Sequence, residues 1–191
     1  TKLKKTNIIC LGKNPVKKIN YLRVLKQKNV LILPEGIYSE CYKLFKFSYD
    51  FAKINKKINF IWRIHPIFKW NDIFKLLNIY NLPPNIRISR ESLENDIKKS
   101  KFCLYRGSGA IVDVLSNNII PIYYNNKNEI NSIDPLYQYN KNKVKNEKEL
   151  IKIINKYKNR KNFVNEIKRF KNFLKLSFQD INLNKLKIIN E

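Results

Sequence analysis

Short runs of β-branched, leucine and aromatic residues, stopped by proline, glycine or charged turns and separated by longer stretches of helical spacing, constrain this chain more than any other feature. The run Asn29–Leu33 stops at Pro34-Glu35-Gly36, and residues 39–53 then place Tyr42, Phe45, Tyr49 and Ala52 three and four apart, as on one helix face. Ile58–Ile64 reads as a second strand ended by His65-Pro66, because proline removes a ladder donor. Asp72–Tyr80 is helical in pattern, Pro83-Pro84 breaks it, and Ile86–Ser89 is a third strand. Ser92 is placed to cap a short helix through Lys99. Phe102–Tyr105 then runs into Arg106-Gly107-Ser108-Gly109, a helix over 110–116 and a fifth strand, Ile119–Tyr124. The alternation predicts an α/β fold, a doubly wound, Rossmann-like parallel sheet. The domain spans residues 29–145. Residues 1–28 read as a linker or an extra strand and helix, with Thr6–Leu11 as the strand. Residues 146–191 read as basic C-terminal helices, packing on that domain or on a missing N-terminal one. Within them Phe163, Ile167, Phe170 and Leu174 form one apolar stripe, and Lys161, Lys168, Arg169 and Lys175 the opposite face.

In an open parallel sheet ligands bind beyond the carboxyl ends of the strands, and the unusual residues of this chain gather there. Three of its four glycines lie in those loops. Gly107-Ser108-Gly109 turns a strand into a helix start, where backbone can approach a ligand, N–H groups point outward and the Ser108 hydroxyl adds a donor. A phosphate suits such a turn; a tight connection capped by Ser108 is the plainer reading. His65, the single histidine, sits one residue before Pro66 at the same end of the sheet. There it is suited to donate to a phosphate oxygen or to protonate it as a nucleotide leaves. Arg63 and Arg106 are candidate cations for the same anion, or solvated arginines. Glu35-Gly36 is either a plain turn or a close approach at which Glu35 accepts from a ribose, base or acceptor hydroxyl. Asp113 is placed to reach a ribose hydroxyl or to compensate the helix dipole.

Other chemistries fail on particulars. A nucleophile elbow needs glycines where Arg106 and Ala110 stand, with a histidine after the serine. A dinucleotide fingerprint needs a third glycine at Val112. One histidine with scattered Cys10, Cys41 and Cys103 makes no recognised zinc spacing, and the odd, unpatterned thiols fit a reducing compartment. No run approaches a membrane span, and no signal-peptide pattern opens the sequence. Lys+Arg 39 against Asp+Glu 15 gives a formal charge of +24, yet Ile, Asn and Lys are the residues that an A+T-rich genome encodes by default. The hydrophobic share of 43% excludes a disordered basic tail. A first residue Thr1 and the absence of Met suggest a fragment of a longer chain.

The order Pro34-Glu35-Gly36, His65-Pro66, Ser92-Leu93, Gly107-Ser108-Gly109 and Asp113, each on its strand or helix end, resembles the C-terminal, nucleotide-binding half of GT-B glycosyltransferases. It is most similar to bacterial capsule and lipooligosaccharide sialyltransferases and Kdo transferases, which use CMP-activated sugars. The resemblance covers residues 29–124 and departs from the pattern at Gly109, where a second Ser or Thr is usual, and over Val114–Pro121, which lacks a glycine. It implies His65 and Ser108 on the CMP phosphate and Glu35 near nucleotide or acceptor. It also implies a catalytic carboxylate supplied by an N-terminal domain missing from this chain. The same motifs resemble CDP-glycerol glycerophosphotransferases.

The expectation is therefore a metal-independent transferase, cytoplasmic and peripheral to the inner membrane, or its donor-binding half. It would move a sugar from a nucleotide donor to a cell-surface or lipid-linked glycan, with His65 and Glu35 catalytic. Gly36, Arg63, Arg106, Gly107, Ser108, Gly109 and Asp113 would bind the donor, and no cofactor is expected. The alternative from another class is a basic module that binds anionic membrane or, with no supporting motif, nucleic acid.

Overall fold

A computed structural model describes residues 20–125, 134–136 and 139–177. The strand expected at Thr6–Leu11, and Cys10, lie outside them. The elements run α1 (Tyr21–Leu25), β1 (Asn29–Leu33), α2 (Tyr38–Ile54), β2 (Phe60–Trp62), α3 (Trp70–Leu77), β3 (Ile86–Ile88) and α4 (Leu93–Lys98). They continue β4 (Ser100–Tyr105), α5 (Ile111–Ser116), β5 (Ile120–Tyr124), β6 (Lys143–Val144), α6 (Glu147–Lys156) and α7 (Arg160–Ser177). The strands form one sheet in the order β3-β2-β1-β4-β5-β6, every neighbouring pair parallel. The fold is thus the expected α/β, Rossmann-like sheet, with a sixth strand that the pattern of residues did not announce.

Burial on both faces explains why the central strands read as continuous apolar runs rather than alternations. Val30, Leu31, Ile32, Leu33, Leu104, Ile120 and Ile122 are all buried. On one face α2 contributes Cys41, Leu44, Phe45, Ser48, Phe51 and Ala52 to the core, and Phe45 packs on Trp62 at 4.8 Å between ring centroids. Trp70 of α3 stacks on Trp62 at 6.3 Å. Ser48 is tolerated there because its hydroxyl donates to the Phe45 carbonyl at 3.0 Å.

Pro121 stands in an interior strand because β6 is short. The N–H groups of Tyr123 and Asn125 donate to Asn142 and Val144, so alternate residues of β5 face β6 and Pro121 shares their parity. Its missing donor falls before β6 begins at Lys143, opposite Tyr123. In a chain so poor in glycine, asparagine takes the left-handed positions: Asn78 closes α3 at φ 53°, and Asn118 follows α5 at φ 64°.

The C-terminal helices pack on the sheet. α7 lies against α5 and β5 through buried Phe163, Ile167, Phe170 and Phe173. Phe173 joins this buried face, and Leu174, expected on the same stripe, packs against it only partly covered. A buried polar chain ties these helices to the strands. Tyr157 donates to the Asn142 side chain at 2.8 Å, Asn142 to Glu166 at 3.0 Å, and Arg169 to both Glu166 oxygens at 3.0 and 2.6 Å. Tyr105 of β4 donates to Asp134 at 2.5 Å and accepts from Asn140 at 2.9 Å, which pins the connection between β5 and β6 to the sheet.

Candidate functional site at the carboxyl edge of the sheet

Winding starts at β1 and proceeds outward both ways, so the loops after β1 and β4 leave in opposite directions and open a crevice between them. Glu35-Gly36 follows β1, and Arg106-Gly107-Ser108 follows β4. Gly107 adopts φ 68°, and a Cβ built on it would lie 2.1 Å from a carboxylate oxygen of Glu35. The Glu35 carboxylate therefore lies over the Gly107 backbone in space that no side chain at residue 107 can share. A Cβ on Gly36 would lie 3.2 Å from Cε1 and 3.4 Å from Nε2 of His65, so the imidazole rests on the Gly36 backbone from the neighbouring β2 loop. The Ile67 N–H donates to His65 Nδ1 at 3.5 Å, which leaves Nε2 as the ring's donor in the neutral tautomer.

After Gly107 the chain turns into α5, which begins one residue later than the sequence pattern suggests. Ile111 and Val112 donate back to the Ser108 and Gly109 carbonyls at 3.2 and 3.3 Å. The N–H groups of Ser108, Gly109 and Ala110, and the Ser108 hydroxyl, find no acceptor among the described residues. Successive outward N–H groups after a left-handed residue form an anion-binding concavity. Ser108 is 7% exposed, so the turn that carries it is largely enclosed. Nothing lies within 4 Å of a Cβ on Gly109, so that glycine leaves open space beside the turn. Asp113 occupies the first turn of α5, partly exposed, where a carboxylate also complements the helix dipole.

The structure thus brings Glu35, Gly36, His65, Gly107 and Ser108 together and carries the two arginines elsewhere. Arg106 is 2% exposed; its Nε donates to Glu40 and its Nη1 to the Tyr124 carbonyl at 2.8 Å. Arg63 donates to Asp96 at 2.9 Å and to the Glu91 carbonyl at 2.7 Å, and Ser89 donates to the same Asp96 at 2.6 Å. Both guanidiniums thus fasten loops to their neighbours: Arg106 ties the β4 loop to α2 and β5, and Arg63 ties β2 to α4.

Glu40, which no motif of the sequence marks, is the partner of Arg106. Burial pushes its carboxyl up, but hydrogen bonds from Lys43 and Arg106 outweigh this and hold it below the ordinary range. A signal existed, since Glu40 shares the α2 stripe with Leu44 and Ser48, and a carboxylate on a buried stripe needs a cation. Cys41, beside it, donates through Sγ to the Glu35 carbonyl at 3.1 Å. Burial, reinforced by the charges of Glu35 and Glu40, pushes this thiol up to about 12, so it stays protonated and steadies the loop as a donor. Among the described residues no group of three or more His, Cys, Asp or Glu side chains is clustered as metal ligands would be.

No family model matches the chain, and no curated protein matches its sequence. Solved structures do match. The glycotransferase of kitacinnamycin superposes with a TM-score of 0.55 at 10% identity, over 87% of this chain and 44% of its own. The glycosyltransferase SnogD from Streptomyces nogalater superposes with a TM-score of 0.51 at 8% identity, over 98% of this chain and 48% of its own. The chain therefore spans less than half the length of either. What it has in common with these two glycosyltransferases is the fold: a parallel, doubly wound, Rossmann-like sheet flanked by helices.

Proposed function

We propose that this chain is the donor-binding half of a GT-B-type glycosyltransferase, and that its crevice holds a nucleotide-activated sugar. The observation that carries the reading is the convergence of Glu35, His65 and the Gly107-Ser108 turn at the switch point between β1 and β4.

In this reading the phosphate next to the sugar rests on the Ser108, Gly109 and Ala110 N–H groups and the Ser108 hydroxyl. His65 Nε2–H donates to a non-bridging oxygen of that phosphate. As the glycosidic bond breaks, negative charge grows on the leaving nucleotide. Fixed donors facing that charge stabilise the transition state more than the ground state, without a metal ion. Glu35 accepts from a ribose or acceptor hydroxyl, and Asp113 from a ribose hydroxyl. Arg106 and Arg63 act indirectly, as the ties that fix the two loops. The motif order favours a CMP-linked donor, a cell-surface glycan as acceptor, and a site peripheral to the inner membrane, with a catalytic carboxylate of the enzyme supplied by a second domain.

Calorimetry with CMP, CDP, UDP and GDP tests this on the wild type, His65→Ala and Ser108→Ala. The expected result is tightest binding of CMP, weakened about tenfold by either substitution, equivalent to about 1.4 kcal/mol. Preference for CDP points instead to glycerophosphate transfer. Failure of all four nucleotides to bind, or binding indifferent to both substitutions, overturns the reading.

A further inference from the structure

A second concavity lies beside the crevice. It is a groove of about 640 Å³ between α2, the end of β5 and the start of α6. That volume falls within the range of roughly 300–1,000 Å³ typical of small-molecule sites. Its aromatic part is Phe47 and Tyr124, whose rings stack at 4.3 Å and 17°, with Tyr42 nearby. Its cationic part is Lys43 and Lys46 on α2 and Lys145 and Lys148 before and within α6. Lys43 is paired with Glu40 at 2.7 Å, and Lys46 with Asp50. Lys145 and Lys148 have exposed side chains with no ion-pair partner among the described residues.

Asn146 caps α6 by accepting from the Glu149 N–H at 3.0 Å, and the lysine ammoniums carry the groove's full positive charges. Two carboxylates, Asp50 and Glu147, stand in the same lining. They repel a run of phosphodiesters but accept hydrogen bonds from hydroxyls. Aromatic rings in the lining for C–H contacts, carboxylates for hydroxyls and ammoniums for a few acidic groups together describe a saccharide that carries carboxylate or phosphate.

Groove and crevice also share a wall. Arg106, next to Gly107 on the crevice side, donates to the carbonyl of Tyr124, whose ring lines the groove, and to Glu40, which holds the groove's Lys43. We propose that the groove binds an acidic saccharide, the acceptor class for the neighbouring donor crevice. The acceptor role rests on the donor reading above, whereas the saccharide site rests on the groove alone.

Calorimetry with trigalacturonate and with neutral maltotriose tests it, on the wild type and on the paired variant Lys145→Gln/Lys148→Gln. Both positions are solvent-facing, so folding is kept, and a matching circular dichroism melt checks this. The expected result is trigalacturonate binding weakened about tenfold in the paired variant, at least tenfold weaker binding of maltotriose to the wild type, and unchanged CMP binding. A Phe47→Leu variant is expected to weaken the trisaccharide as well, through the lost stacking face.

Equal trigalacturonate binding by the wild type and the paired variant overturns the proposal. So does the absence of saccharide binding alongside lysine-dependent binding to phosphatidylglycerol vesicles or duplex DNA, which would make the groove part of a polyanion surface. Trigalacturonate binding without any nucleotide binding supports the saccharide site and overturns the donor reading.

Discussion

Residue 107 excludes a side chain on two independent grounds, the left-handed backbone at φ 68° and the Glu35 carboxylate within 2.1 Å of where a Cβ would stand. Gly109, two residues on, meets neither constraint. The sequence displayed both glycines alike and could not rank them, because the difference lies in what β1 brings opposite β4. Gly107→Ala is expected to destabilise the fold by about 2 kcal/mol, the left-handed cost for a non-glycine residue with Glu35 displaced besides. Gly109→Ala is expected to stay within about 0.5 kcal/mol of the wild type. Urea unfolding measures both, and equal losses would remove the argument that Glu35 is seated on Gly107. His65, Glu35 and Ser108 were legible as strand-end residues in a chain with few such groups. The arginines were not, because residue type marks a cation without revealing that Glu40 and Asp96 wait for it inside the fold.

Elements were legible where burial was continuous. β1 matches its run residue for residue, since a central parallel strand buried on both faces favours a continuous apolar stretch. The expected strand at Ile58–Ile64 shrinks to Phe60–Trp62, because its ladder extends only as far as the three residues of β3, not as far as the apolar residues do. β6 was illegible: Lys143 and Val144 carry no period, and their place is set by Tyr123 and Asn142 pairing across the gap. The buried chain through Asn142, Tyr157, Glu166 and Arg169 then couples α6 and α7 to that strand. For Glu166, burial pushes the carboxyl up, but hydrogen bonding and charge from Arg169, with Asn142, hold it net below its ordinary 4.5. A carboxylate depressed in the folded state lends stability above that ordinary value and loses it as pH falls through the depressed one. Wild-type stability in urea is expected to fall on acidification below pH 4.5. Glu166→Gln is expected to be about 1.5 kcal/mol weaker at pH 7, with a shallower decline in acid. An unchanged acid slope in the variant would show that Glu166 does not couple the helices to the sheet.

Across the whole molecule the +24 charge and the crevice make separable demands on a ligand. In the proposed reading the crevice offers three N–H groups, a hydroxyl and an imidazole N–H to one anionic group. Attraction of that kind is short in range and survives added salt, since few counterions leave when it forms. Lysines spread over a surface behave in the opposite way: a polyanion held by them releases counterions on binding and lets go as salt rises. If the charge were the function, binding would follow ionic strength and ignore His65. Raising NaCl from about 50 to about 200 mM is therefore expected to weaken CMP binding by less than about threefold, while duplex DNA binding falls by about a hundredfold or more. Fluorescence anisotropy with labelled duplex and calorimetry with CMP, run on one preparation across the salt series, read the two slopes side by side. A CMP slope as steep as the DNA slope, equally steep in His65→Ala, would assign nucleotide binding to the lysine surface. A shallow slope, with binding weakened about tenfold by the same substitution, assigns it to the crevice and leaves the charge the task of drawing anionic ligands toward the protein.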